Sequence, residues 1–379
     1  MASHRIGARV AGLSPEQLCA IIEAQAGASD AALRVAEEHA ARLVEQPEWV
    51  LSEVLLSPDL APHILAQLPT KEHAAKGTCR AWRRGWKETL KKRERPRLLV
   101  IGGSTNEILS SLERYDASTN EWEEEAVAPM LTADTIACMA VLDSKLYAVG
   151  GFGPDGAPSN LVERYDLATN AWEVVARMAT PRENHAMAAL DGKMYAVGGF
   201  NEDDGALSSV ERYDPAANTW EAVAQMATAR CNFAVAVLDG KLYAVGGYSG
   251  DFLSSVVRYD PALDAWEAVA PMAVRRIAFG VAVLDGKLYA VGGENVDDNS
   301  LSSVERYDPA LDAWETVAPM AEARQYHAVA VLDGKLYAVG GQGAGYNTLS
   351  SVEQYDPALD AWEAVVPMAT ARAFPLALV

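Results

Sequence analysis

Cysteine is scarce in this chain of 379 residues: Cys19, Cys79, Cys138 and Cys231 lie far apart, with no C-x-x-C pair among them. That spacing excludes a disulfide framework and a cysteine-based zinc finger. Histidine is equally sparse, at positions 4, 39, 63, 73, 185 and 327, and none of these spacings is that of a metal site. There is no G-x-S-x-G motif and no P-loop, so the signatures of an esterase and of a nucleotide hydrolase are missing. The chain has no N-x-[ST] sequon, its first residues MASHRIGARVAGLSPEQ contain no apolar core, and no run approaches the roughly 18 apolar residues of a membrane helix. These absences lead to the expectation of a soluble, unsecreted protein of the cytoplasm, the nucleus or both, with no catalytic role, no cofactor and no metal.

Positive charge is also in short supply. Lys and Arg total 32 against 52 Asp and Glu, a net charge of −20, which argues against a general nucleic-acid or anionic-membrane surface. The imbalance is local. Residues 1–96 hold 14 basic and 12 acidic side chains, whereas residues 97–379 hold 18 and 40. The two parts differ in kind, and two domains are expected.

What is abundant is repetition. A Gly-Gly pair begins at 102, 150, 198, 246, 292 and 340, a period of the size expected for repeated units. In step with it come Tyr115, Tyr165, Tyr213, Tyr259, Tyr307 and Tyr355, each followed seven residues later by a Trp, from Trp122 to Trp362. Within a unit, RCNFAVAVLDGKLYAVGG reads as two apolar runs around an Asp-Gly turn, the signal of a two-residue type I′ hairpin. A third strand such as LSSVERYD and a fourth such as AWEAVA follow, giving four short strands per unit. The first strand is small and apolar on both faces, as a crowded centre requires, and the later Tyr and Trp have the bulk to fill wedges between sheets.

These features predict a mainly β protein, a closed six-bladed β-propeller. Its closure is legible at the ends: RLLVIGG, from Arg97, begins with the second strand of blade one, and RAFPLALV, from Arg372, aligns with RQYHAVAV from Arg324. The C-terminal segment is therefore expected to complete blade one. The pattern LDGKLYAVGG, then YD, then Trp resembles the kelch repeat throughout residues 97–379. Val257 stands where the other units have Glu (Glu113, Glu163, Glu211, Glu305, Glu353), and Gln354 stands where they have Arg.

Ahead of the repeats, residues 1–50 read as a helical segment: Ser14-Pro15-Glu16-Gln17 places an N-cap, a Pro at N1 and a Gln at N3. Residues 51–92 form a second helical module, with residues 93–96 as linker. That module is similar to the F-box, on Leu68-Pro69, Ile64-Leu65 and Cys79-Arg80-Ala81-Trp82. The resemblance implies contact with the adaptor subunit of an SCF-type cullin–RING ubiquitin ligase through Leu56, Leu60, Ile64, Leu65, Leu68, Pro69 and Trp82, residues that serve equally as the core of the module. The basic stretch from Lys71 to Arg97, 11 Lys or Arg against 3 acids, reads as a solvated helix face and linker beside an acidic neighbour.

The candidate site lies in the repeats. Arg182, Arg230, Arg276, Arg324 and Arg372 precede the innermost strand at equivalent positions, with Asp134 at the sixth, and a closed ring would gather them at one mouth. Like charges brought together need counter-charges; carboxylates of the same chain would supply them, or an acidic ligand would. The kelch resemblance implies the second, with arginines clamping an acidic segment of a target protein beside Asn184, Asn232, Tyr326, Phe152, Phe200 and Tyr248. The repeated Glu-Arg-Tyr-Asp element reads instead as packing and ion pairs between blades, and the acidic runs Glu202-Asp203-Asp204 and Asp297-Asp298 read as solvent-facing loops. The expected function is target recognition for a ubiquitin ligase. A kelch scaffold without ligase role is the alternative, and a propeller oxidase or epimerase a third class.

Overall fold

The computed structural model describes residues 97–378, apart from 105–110, 127, 129–137, 144, 154–155 and 167–168. The chain divides into two units between Pro96 and Arg97, so the helical segment and the F-box-like module, with Leu56, Leu60, Ile64, Leu65, Leu68, Pro69 and Trp82, lie outside the described residues, as does Asp134.

Six four-stranded antiparallel sheets follow one another along the repeats. Blade four shows the strand order: Ala234–Leu238, Lys241–Tyr248, Phe252–Asp260 and Ala265–Val269, from the centre outward. The turn between its first two strands has Asp239 at φ 50° and Gly240 at φ 69°, the two positive values a type I′ turn demands and the reason Asp-Gly recurs there. Among the described residues the only helical element is a single 3-10 turn, Ala344–Tyr346.

Blade one is assembled from both ends. Leu98–Ile101, Ser111–Asp116 and Glu121–Ala126 supply three strands, and Leu376–Leu378 adds the innermost, pairing Leu99 with Leu378, Val100 with Ala377 and Ile101 with Leu376. The fold is thus a six-bladed propeller closed by its C-terminal strand, which leaves no open sheet edge at the seam.

The core lies between blades rather than within them. Tyr195, Val197 and Val210 of blade three pack on Leu242, Ala244 and Tyr259 of blade four, and the equivalent residues repeat around the ring. Tyr195 and Tyr259 meet at a ring separation of 5.9 Å, while Tyr259 and its own Trp266 stand at 5.1 Å. Each such aromatic buries roughly 150–250 Å², a large apolar contribution from every repeat.

A polar latch accompanies the wedge. Trp266 Nε1 donates to the carbonyl of Ala224 in the preceding blade at 2.9 Å, and the amide of Ala224 donates to Asp264 Oδ1 at 2.9 Å. Asp264, at φ 46°, also accepts from the hydroxyl of Tyr259 at 2.7 Å. Asn170, Asn218, Asp312 and Asp360 repeat the device with Trp172, Trp220, Trp314 and Trp362. Asn and Asp tolerate this left-handed backbone better than other side chains do, which explains why only they occur there.

Candidate binding face

Two sets of loops share one face of the ring. The residue after each arginine forms an isolated bridge with the residue after the Gly-Gly pair of the same blade: Glu183 with Phe200, Cys231 with Tyr248, Ile277 with Glu294, Gln325 with Gln342, and Ala373 with Ser104. Glycine is required at the turn. A Cβ on Gly199, which sits at φ 100°, would stand 2.7 Å from both the carbonyl oxygen of Glu183 and Cβ of His185. Beyond the bridges the loops differ in every blade, whereas the Asp-Gly turns of the opposite face repeat.

On the axis, the second residue after each arginine has a left-handed backbone: Asn184 (φ 48°), Asn232 (51°), Ala278 (53°), Tyr326 (51°) and Phe374 (57°). Each is held by its neighbour. The amide of Asn232 donates to Asn184 O at 3.0 Å, Ala278 to Asn232 at 3.1 Å, Tyr326 to Ala278 at 2.8 Å and Phe374 to Tyr326 at 2.8 Å. This chain of hydrogen bonds rims an axial cavity of about 240 Å³, which all six blades line with two residues each.

Asn184, Asn232 and Tyr326, expected from the sequence, line that cavity; Ala278, Phe279, Phe374 and Met139 line it too and were not singled out. Their signal was present: Ala278 and Phe374 occupy the same repeat position as Asn184 and Tyr326. Phe200 and Tyr248 stand in the bridges around the mouth, and Phe152 bridges Pro158 in the loop of blade two. Phe152 and Phe200 are half-buried, and Tyr248 is exposed and packed edge-on against Phe252. His185 and His327 also reach the cavity, at positions taken by Phe233 and Phe279 in other blades. Both imidazoles are buried without a hydrogen-bond partner for either nitrogen, and burial together with the nearby Arg182 or Arg324 pushes their pKa down to about 3.

The arginines correct the expectation of a basic mouth. Arg182, Arg276, Arg324 and Arg372 are fully buried, and each pairs with the third-strand glutamate of its own blade: Glu211 at 2.9 Å, Glu305 at 2.7 Å, Glu353 at 2.7 Å and Glu113 at 2.9 Å. Each guanidinium also binds a Gly-Gly carbonyl, as Arg182 Nη1 does with Gly198 O at 2.8 Å. The physical reason is desolvation: at this depth carboxylate and carbonyl oxygens replace the water the cation has lost. For these four arginines the counter-charge therefore comes from the chain itself. The rest of the Glu-Arg-Tyr-Asp element is equally architectural. Arg212 pairs with Glu221 on the fourth strand at 2.6 Å, Tyr213 is in the core, and Asp214 pairs with Lys193.

Most of the charge the loop face exposes is acid: Glu202, Asp203, Asp204, Asp297 and Asp298 are on its surface, as is Asp251, which pairs with the exposed Arg275 at 2.6 Å. The Asn201 side chain binds the amide and carboxylate of Asp204, and Asn295 braces Asp297 and Asn299 in the same manner. Glu183 and Glu294 are nearly buried, and their pKa values are raised by burial and then by Glu202 and Asp298 respectively. Among the described residues no group of three or more His, Cys, Asp or Glu is arranged to hold a metal ion.

Sequence comparison agrees with this architecture. Residues 88–274 match the KLHDC2/KLHL20/DRC7 Kelch-repeats domain, and residues 275–321 and 323–369 each match the Kelch motif. The chain is a kelch-repeat protein. Its kelch domain is similar to Kelch-like protein 41a of Danio rerio, with 36% identity over 86 residues, 22% of this chain and 14% of that protein. It is likewise similar to the F-box/kelch-repeat protein At1g22040 of Arabidopsis thaliana, at 40% over 85 residues, 21% of this chain and 18% of the relative. These matches span less than a fifth of the curated relatives' length. Among solved structures, YjhT superposes with a TM-score of 0.61 at 16% identity, covering 70% of this chain and 97% of its own, a likeness of fold.

Proposed function

We propose that this kelch protein is the target-recognition subunit of an SCF-type cullin–RING ubiquitin ligase, working in the cytoplasm or nucleus, with residues 51–92 docked on the adaptor and the loop face of the propeller holding the protein to be modified. The observation that carries the binding role is the asymmetry of the two faces. One repeats the same Asp-Gly turn in four blades, while the other gathers the blade-specific loops around a cavity, the place where recognition surfaces are built on a rigid scaffold. The ligase connection rests on the Leu68-Pro69 and Cys79-Arg80-Ala81-Trp82 elements and on similarity to a protein named F-box/kelch-repeat. With the five equivalent arginines buried and most loop-tip charge acidic, the face suits a predominantly positive segment of the target better than the acidic one implied by the family resemblance.

The test is capture of purified adaptor by the full chain and by a Leu68→Asp, Trp82→Ala variant. Adaptor retained by the first and lost by the second, with both chains folded by circular dichroism, supports the ligase role; retention by neither overturns it. In the latter case the similarity to Kelch-like proteins favours a second reading, an interaction scaffold whose propeller binds its partner without ubiquitin transfer.

A further inference from the structure

One blade breaks the charge pattern. In blades one, three, five and six the third-strand glutamate does two jobs: it pairs with the arginine, and it accepts two backbone amides from the loop that precedes that arginine. Glu305, for example, takes the amides of Ala273 at 2.6 Å and Val274 at 3.1 Å together with Arg276 at 2.7 Å. Glu211, Glu353 and Glu113 are held by the equivalent amides. Blade four has Val257 at this position. Arg230, 1% exposed, retains the rest of the arrangement, binding Gly246 O at 2.8 Å and Ser255 O and Oγ at 2.9 Å, but it faces no carboxylate. Among the described residues, the amides of Ala227 and Thr228, which correspond to those of Ala273 and Val274, have no acceptor.

The niche is also somewhat more open than its counterparts. The four glutamates are between 0% and 4% exposed, whereas Val257 is partly exposed, and Thr228 is exposed where Thr180, Val274, Glu322 and Thr370 are half-buried; Ala227 is exposed as its counterparts are. A guanidinium, a hydroxyl and two peptide N–H groups thus take up the arrangement that binds a carboxylate four times elsewhere in the same ring, and charge-assisted contacts of this kind are roughly twice as strong as neutral ones. Burial without a carboxylate leaves Arg230 easier to deprotonate than a free arginine, with its pKa lowered to about 10.

We propose that the Arg230 niche is a carboxylate-binding site on the loop face, where the carboxylate that Val257 cannot supply is brought by a ligand. The group is a single carboxylate, from a free small acid or from an acidic side chain within an otherwise neutral or basic protein segment, because the acidic loop tips of the flanking blades, residues 202–204 and 297–298, repel a run of acids.

Thermal unfolding of the full chain in sodium acetate against sodium chloride at equal ionic strength tests this. A bound carboxylate stabilises the native state by mass action, and a rise of about 3 °C is expected once acetate well exceeds its dissociation constant. Val257→Glu fills the niche from within and is expected to start from a higher Tm and to show no acetate response. A blocked Gly-Glu-Gly peptide, with Gly-Gln-Gly as control, separates the sources: saturation below the acetate concentration assigns the site to a protein side chain, saturation at or above it to a free acid. Equal acetate responses in the wild type and Val257→Glu, or none in the wild type, would overturn the proposal.

Discussion

Trp122 and Val366 are 244 residues apart in sequence, yet the indole Nε1 of the first donates to the carbonyl of the second at 2.9 Å. Asn120 adds the companion bond from the amide of Val366. The pair is the sixth copy of the latch that Trp266 makes with Ala224 only 42 residues away. A ring does not distinguish the seam that joins its ends from the others.

Equality of seams is measurable. Trp122→Phe and Trp266→Phe each remove one indole donor and leave a carbonyl of the preceding blade without it, a loss of about 1 kcal/mol. The two variants are expected to lower the urea-unfolding free energy by the same amount within about 0.5 kcal/mol. A markedly smaller loss at Trp122 would mean that the closing seam is slack.

Exchange of one residue between blades four and five should move stability in opposite directions. Glu305→Val reproduces blade four around Arg276 and strands a buried cation, a cost of about 3–5 kcal/mol. Val257→Glu gives Arg230 the carboxylate found in four other blades and is expected to raise stability by about 1 kcal/mol. Urea-unfolding midpoints of the two variants against the wild type check both signs; a Val257→Glu protein less stable than the wild type would show that blade four has repacked around valine.

The buried histidines make the domain acid-sensitive in a defined window. Their folded pKa of about 3 lies below the ordinary 6.5, so the unfolded chain binds more protons between these values and stability is lost as pH falls below about 6.5. Each imidazole contributes up to about 1.4 kcal/mol per pH unit in that range. Replacing His185 and His327 with Phe, the residue present at positions 233 and 279, should flatten the dependence. Unfolding free energies at pH 7 and pH 5 test it, and an unchanged slope in the double variant would locate the acid sensitivity elsewhere.

The propeller was legible because each of its determinants is local or strictly periodic. Asp239-Gly240 encodes its own turn, and the alignment of the Arg372 segment with the Arg324 segment exposes the missing strand of blade one. The destination of the arginines was not legible in the same way. Arg182, Arg276 and Arg324 each meet a glutamate 29 residues further along the chain, a distance created by two strands and their turns, so spacing alone does not separate an internal partner from a ligand. Val257 was visible as a departure from the pattern, but its meaning depends on that pairing. The left-handed backbone on the axis was half visible: Asn184 and Asn232 are residues that favour it, whereas Ala278, Tyr326 and Phe374 adopt it only because each donates to the neighbouring blade.

That axial set of hydrogen bonds has an electrostatic consequence. In a helix the peptide dipoles add along one direction and leave charge at the two ends. Here the links from Asn184 to Phe374 run head to tail around the axis, all in the same sense, so their dipoles circulate and largely cancel along it. These four links consequently add little axial field to the cavity they rim, and the side chains that each blade places there shape the potential an approaching partner meets.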